Sequence, residues 1–207
     1  YYRLEEILQR SQLVIDRSTQ CRWMIRVANE LIPLVDLMRS RALESPVVLA
    51  DETPVKMLDA GSPHAVTSYL WTTIGDNAHP YNCFYFTADR SRDGPDEFLS
   101  GFEGCLQSDA YIGYELISAE NEEIVKVACW AHARRKFEEV NYTAPSVKTH
   151  TALAYIQRLY DIEDRGRELT DQQRYELRQQ EAAPIVAEFH QWLVRQHERE
   201  LPKSKLR

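Results

Sequence analysis

Asp51, in VVLADETPVKML (47–58), and Asp109, in GCLQSDAY (104–111), are the residues whose type and setting could do chemistry in this chain. Each closes a short run of apolar or small residues with strand character, and each is followed by a break in that pattern. Their separation, 109 − 51 = 58 residues, excludes one helix face or one hairpin. Strands lying side by side in a mixed sheet could still bring both carboxylates to one edge of the core. Two adjacent carboxylates repel, and burying them is costly unless they share a cation. An all-oxygen donor set, without cysteine or histidine at short spacing, suits magnesium or manganese better than zinc. Divalent ions held by carboxylates activate water and stabilise the leaving oxygen in phosphodiester cleavage. A plainer role, turn formation or helix capping at a strand end, fits either aspartate taken singly. Glu52 is expected on the face opposite Asp51, because side chains alternate along a strand.

CWAHARRKF (129–137) carries the second candidate group. A strand runs into a helix whose first turns present His132, Arg134, Arg135 and Lys136, a concentration of positive charge able to contact DNA phosphates. The competing reading is a solvated helix face on which Arg134 and Arg135 pair with Glu138 and Glu139.

The surrounding pattern indicates what positions these groups. Residues 3 to 44 carry apolar positions at helical spacing, and Asp16, Ser18 and Thr19 supply capping chemistry for a second helix. That is compatible with a helix-turn-helix remnant or with a plain helical hairpin. From Pro46 the texture turns to strands at 47–51, 67–75 and 81–89, an antiparallel meander. A short helix at 95–102, strands at 104–109 and 123–130 and a helix at 131–140 follow. This is the order of an α/β domain with a mixed sheet covered by helices. Past Pro145 helical periodicity returns at 149–165 and 170–199, with Pro184 set to start or kink a helix.

Composition limits the alternatives. With 207 residues and 43% hydrophobic content, the chain can bury a core. Its apolar runs fall well short of the roughly 20 residues that a membrane span needs. Cys21, Cys83, Cys105 and Cys129 form no Cys-x-x-Cys pair, so reduced cytoplasmic thiols are expected rather than zinc ligands. A net charge of −7 argues against nucleic-acid binding by bulk electrostatics, so any DNA contact must be local. A start at Tyr1-Tyr2 and an end at LPKSKLR suggest a piece of a longer protein.

ADETPVKML (50–58), SYLW (68–71), the run from Phe98 to Glu115 containing LQSDAYIGYE, and CWAHARRKF resemble the transposases of the insertion-sequence family numbered sixty-six. The likeness extends through YRLEEIL, STQCRW, LAYIQRLYDIED and LPKSKL, and so covers nearly the whole chain. It implies an RNase H-like mixed five-stranded sheet flanked by helices. A helical segment at 1–45, a candidate helix-turn-helix remnant, would precede a catalytic core at 46–145 and an incomplete helical insertion at 146–207. The resemblance also implies Asp-Asp-Glu chemistry, with Asp51 and Asp109 as the first two acids and as ligands of magnesium or manganese. Such an enzyme nicks DNA at an element end, and the freed 3′ hydroxyl then attacks target DNA. Its partners would be element-end and target DNA, with no membrane, and a homo-oligomer would form the active complex. The family's third acid lies in an Asn-Asn-x-x-Glu context, which this sequence lacks, and Glu138, Glu139 and Glu163 do not match it. That acid is therefore expected beyond residue 207, and the fragment alone is expected to be inactive. The alternatives are an RNase H-like nuclease and a truncated, catalytically dead DNA-binding regulator of transposition.

Overall fold

A computed structural model describes residues 1–58, 61 and 63–199; the LPKSKL stretch (201–206) lies outside the described residues. The chain divides between Ala128 and Cys129 into two compact units.

The first unit is built on five strands: β1 (Val47–Met57), β2 (Val66–Ile74), β3 (Asn82–Thr87), β4 (Gly104–Ser108) and β5 (Ile124–Ala128). They form one sheet in the order β3-β2-β1-β4-β5. β1, β2 and β3 run antiparallel, while β4 and β5 join parallel to β1. This is the mixed α/β, RNase H-like architecture that the sequence led us to expect. Parallel strands need crossovers, and α3 (Asp93–Phe98) and α4 (Ile112–Glu120) supply them.

One face of the sheet holds the core. Val48 and Ala50 of β1, Trp71 of β2, Leu106 of β4 and Ile124 of β5 meet Phe98, Leu99, Phe102, Tyr114 and Ile117. Alternation sends the remaining strand residues to the other face, where Val47, Leu49, Ile74, Phe84, Phe86, Val125 and Val127 stay between 37% and 58% exposed.

Two helices precede the sheet, α1 (Tyr2–Arg10) and α2 (Arg17–Leu43). The Asp16 carboxylate accepts from the Thr19 amide at 2.8 Å, the expected N-cap of α2. Over most of its 27 residues α2 is exposed, with only Gln20 and Ala42 buried. Arg39 ties its far end down by donating to the carbonyls of Glu97, Phe98 and Ser100 at 2.6, 3.1 and 3.3 Å. Glu97 and Phe98 lie in the last turn of α3, where a cation also complements the helix dipole.

The second unit is helical: α5 (Trp130–Thr143), α6 (Val147–Arg165), α7 (Asp171–Leu177) and α8 (Ala183–Arg199). Capping boxes at Ser146/Thr149 and Thr170/Gln173 start α6 and α7. Ala152, Ile156 and Phe189 centre its core, with Phe137, Tyr155, Tyr160, Trp192 and Leu193 packed around them. A π-helical turn at Arg178–Ala182 joins α7 to α8, so Pro184 falls at the second residue of α8. The widened turn absorbs a residue that has no amide hydrogen to give the helix. Among the described residues no helix is long and apolar enough to cross a membrane, and the four cysteines are free thiols.

Candidate active site

β1 and β4 pair in parallel through Val47 with Cys105, Val48 with Leu106 and Leu49 with Gln107. Asp51 and Asp109 each lie two residues past the last of these pairs. Alternation along β1 puts Asp51 on the face of Val47 and Leu49. The expected side-by-side arrangement of the first and fourth strands is thus present, and neighbouring strands lie only about 4.8 Å apart.

One expectation is corrected. Asp51 does not end its strand, because β1 continues to Met57 in antiparallel pairing with β2, with Asp51 opposite Thr72. Asp51 sits in mid-strand, just past the point where β1 parts from β4. Past that point β1 pairs with β2. Nor is its charge buried: Asp51 is exposed and Asp109 half-buried.

Local backbone bonds orient both carboxylates. Asp51 accepts from the amide of Glu52 at 2.9 Å. Asp109, one residue past β4, accepts from the Tyr111 amide at 2.9 Å in a turn that leads into α4.

The carboxylate that does enter the interior is Glu52, whose side chain is 5% exposed. It lies on the core face of β1, in register with Trp71. Arg90, from the loop after β3, forms an ion pair with it. Burial pushes the Glu52 carboxyl above its ordinary range and the charges of Asp109 and Asp51 push the same way, while Arg90 opposes the shift. Its Oε2 is buried with no hydrogen-bond partner. The fully buried Tyr114 hydroxyl is likewise unpartnered; burial, then the charges of Glu52, Asp109 and Asp51, raise its pKa.

The Arg90 guanidinium lies over the Tyr111 ring, 4.2 Å from its centre, and the Tyr111 hydroxyl donates to the Arg90 carbonyl. Gly113 makes this possible, since a Cβ there would come within 2.3 Å of the Tyr111 ring. Asp109, Tyr111, Gly113 and Tyr114 therefore account for most of the SDAYIGY stretch. Sequence reasoning missed Arg90, Tyr111 and Tyr114. The available signals were a lone arginine in the loop after a strand and an aromatic-Gly-aromatic spacing directly after an aspartate.

His132, Arg134, Arg135 and Lys136 lie on α5, in the second unit. Arg134 pairs with Glu138 at 2.8 Å, as in the competing reading, and Lys136 reaches Glu139 at 3.6 Å. Both are exposed pairs, of the kind worth about 0.5 kcal/mol or less.

The donor set limits which ion could bind. Among the described residues no three His, Cys, Asp or Glu side chains gather as a metal-binding group. Asp51 and Asp109 thus do not form a closed cage. A pair of carboxylates is a donor set that magnesium accepts, since it keeps several waters and takes one or two protein carboxylates, with substrate phosphate completing its shell.

Comparison with known proteins gives the family. The model of the family described as "Transposase IS66 family" matches residues 1–207. Among curated proteins, uncharacterized protein y4qI of Sinorhizobium fredii is 32% identical over 204 residues, covering 92% of this chain and 38% of that protein. Uncharacterized protein y4jD of the same organism is 30% identical over 199 residues, covering 91% of this chain and 39% of its own length. The chain therefore spans less than two-fifths of the length of these relatives.

Proposed function

The chain belongs to the IS66 family of transposases, and on that premise we propose that its Asp51–Asp109 edge supplies two carboxylates of a metal-dependent DNA-cutting site. In the full-length protein this site would cut DNA at insertion-sequence ends and join the freed 3′ end to target DNA. The observation that supports the proposal is the parallel pairing of β1 with β4, which ends two residues before Asp51 on one strand and two before Asp109 on the other.

Asp51 and Asp109 would hold magnesium or manganese, which when bound neutralises phosphodiester charge and lowers the pKa of water. The chain's own part is placement. β2 braces Asp51 from one side, and the turn into α4 fixes Asp109 through the Tyr111 amide. Phosphoryl transfer is mainly positioning and charge neutralisation, so rigid carboxylates are what the fold has to provide. His132, Arg134, Arg135 and Lys136 are proposed as further phosphate contacts, replacing exposed ion pairs that cost little to break.

The third carboxylate is proposed to come from the remainder of the full-length polypeptide. Asp51 lies on the sheet face whose valines, leucine and phenylalanines remain exposed, and a covering element there could carry an acid to it.

Magnesium-dependent cleavage by the full-length protein tests the proposal, using duplexes with and without the terminal sequences of the encoding element. Cuts confined to element ends, joined products with target DNA, and loss of both in Asp51→Asn and Asp109→Asn are expected. Cleavage that follows DNA structure regardless of ends would replace the transposase with a nuclease. Binding without cleavage would replace it with a regulator.

A further inference from the structure

We infer that Arg90 is a phosphate-binding group of the Asp51–Asp109 edge, held in place by Glu52 and Tyr111; this rests on the reading that the edge acts on DNA. The ligand class is a phosphodiester of a DNA strand.

The geometry leads there in three steps. First, Arg90 is fixed on two sides: its guanidinium meets the Glu52 carboxylate and lies 4.2 Å from the centre of the Tyr111 ring. Second, the same Tyr111 ties it to the edge, because the Tyr111 amide donates to Asp109 at 2.9 Å while its hydroxyl bonds the Arg90 carbonyl. Third, the arginine side chain is still 40% exposed, and a guanidinium carries five N–H donors in a rigid fork. The contact to Glu52 Oε1 uses one arm of that fork.

A purely structural role explains the arrangement less well. An apolar residue at position 52 would pack against Trp71 without the desolvation cost of a buried carboxylate, and replacing such pairs by apolar residues is often neutral or stabilising. What Glu52 adds is a rigid anchor for a cation that Tyr111 links to Asp109. Guanidinium stacked on an aromatic face is also well suited to bidentate phosphate recognition.

The test uses the full-length protein and a fluorescein-labelled duplex bearing the element's terminal sequences. Binding is read by anisotropy across a salt series with calcium, which occupies oxygen sites without supporting turnover. Each phosphate contact adds about 0.9 to the slope of log affinity against log salt. Arg90→Gln should weaken binding about tenfold and reduce the slope by about one, and Arg90→Lys should restore the slope. Arg90→Gln leaves the Glu52 charge stranded, so the Glu52→Gln/Arg90→Gln pair guards against misfolding and should show the same loss of slope. Unchanged affinity and slope in both variants would overturn the inference and leave Arg90 as the counter-ion of Glu52. If Asp51→Asn still abolishes cleavage in that case, the DNA-cutting reading stands without it. If the wild type neither binds nor cleaves such DNA, the underlying reading falls, and this inference with it.

Discussion

Replacing Trp71 tests whether the aromatic layer beneath β1 positions the acidic edge. Trp71 is fully buried, lies in register with Glu52, and donates from its indole N–H to the Thr87 hydroxyl at 2.7 Å. Phe98, Tyr111 and Tyr114 surround it with ring centres at 5.8, 5.9 and 6.2 Å. Trp71→Phe keeps one aromatic ring but removes the donor, a net loss of about 1 kcal/mol. Thr87 still donates to the Asp89 carbonyl at 2.6 Å, so its hydroxyl is not orphaned and this term stays near that value. The missing ring atoms leave a void worth a further ~1–2 kcal/mol in a site that relaxes only partly. The total, about 2–3 kcal/mol, is survivable against the 5–15 kcal/mol typical of a domain, whereas Trp71→Ala should cost about 3–5 kcal/mol. Urea unfolding followed by far-ultraviolet circular dichroism, compared at equal m-values, measures both. Because Tyr111 leans on the indole, Trp71→Phe should also lower the salt slope of DNA binding part of the way toward that of Arg90→Gln. A Trp71→Phe cost below about 0.5 kcal/mol, or Trp71→Ala no worse than Trp71→Phe, would refute the idea that this ring organises the layer.

Three further predictions follow from the same geometry. Asp51→Asn and Asp109→Asn should each abolish magnesium-dependent cleavage while shifting the unfolding midpoint little, since neither carboxylate is buried; a large loss of stability in either would make that residue structural. Glu52→Gln should change the pH dependence of stability. Because burial raises the Glu52 carboxyl above its ordinary value of 4.5, the native state keeps a proton that the unfolded chain has released, and wild-type stability falls as pH rises through that window. The neutral variant escapes this loss, so its advantage in urea midpoint should be smallest near pH 4 and grow toward pH 8; the opposite trend would show a carboxylate stabilised by the fold. Gly113→Ala should add about 1 kcal/mol of helix propensity yet displace the Tyr111 ring, so DNA affinity should drop even if stability holds, and unaltered affinity would count against Tyr111 as the support of Arg90.

Much of the edge was legible before the fold was seen. The change from helical to alternating periodicity at Pro46 separates the leading helices from the sheet, and Asp16 marks the second helix by its capping chemistry. The alternation of Val47 to Glu52 correctly puts Glu52 on the face opposite Asp51. What alternation could not reveal is which of the two faces the core would cover, because valine, leucine and alanine occupy both. The run past Asp51 was read as a break, but ETPVKM stays extended because the expected antiparallel pairing with β2 runs on to Met57, a length that no local pattern marks. Arg90 escaped notice for a related reason: its contact with Glu52 spans 38 residues and depends on how the β3–α3 loop returns over β1.

On the proposed function, the charge balance calls for a fixed cation as well as carboxylates. At an effective dielectric constant near 20, a phosphate charge about 6 Å from one carboxylate is repelled by roughly 3 kcal/mol. Asp51, Asp109 and the partly neutralised Glu52 would together oppose a DNA strand by more than one such amount, on a chain whose net charge is already −7. Bulk attraction cannot offset that, so the compensation has to sit within a few ångströms of the edge. A divalent ion between the aspartates would supply two charges, but only once it is bound. Arg90 supplies one permanently, and Glu52, although destabilised by its burial, is the residue that holds it against Tyr111. On β1 the two adjacent acids thus take different places, with Asp51 on the exposed face, where we propose the ligand, and Glu52 turned inward to the ion pair that holds Arg90.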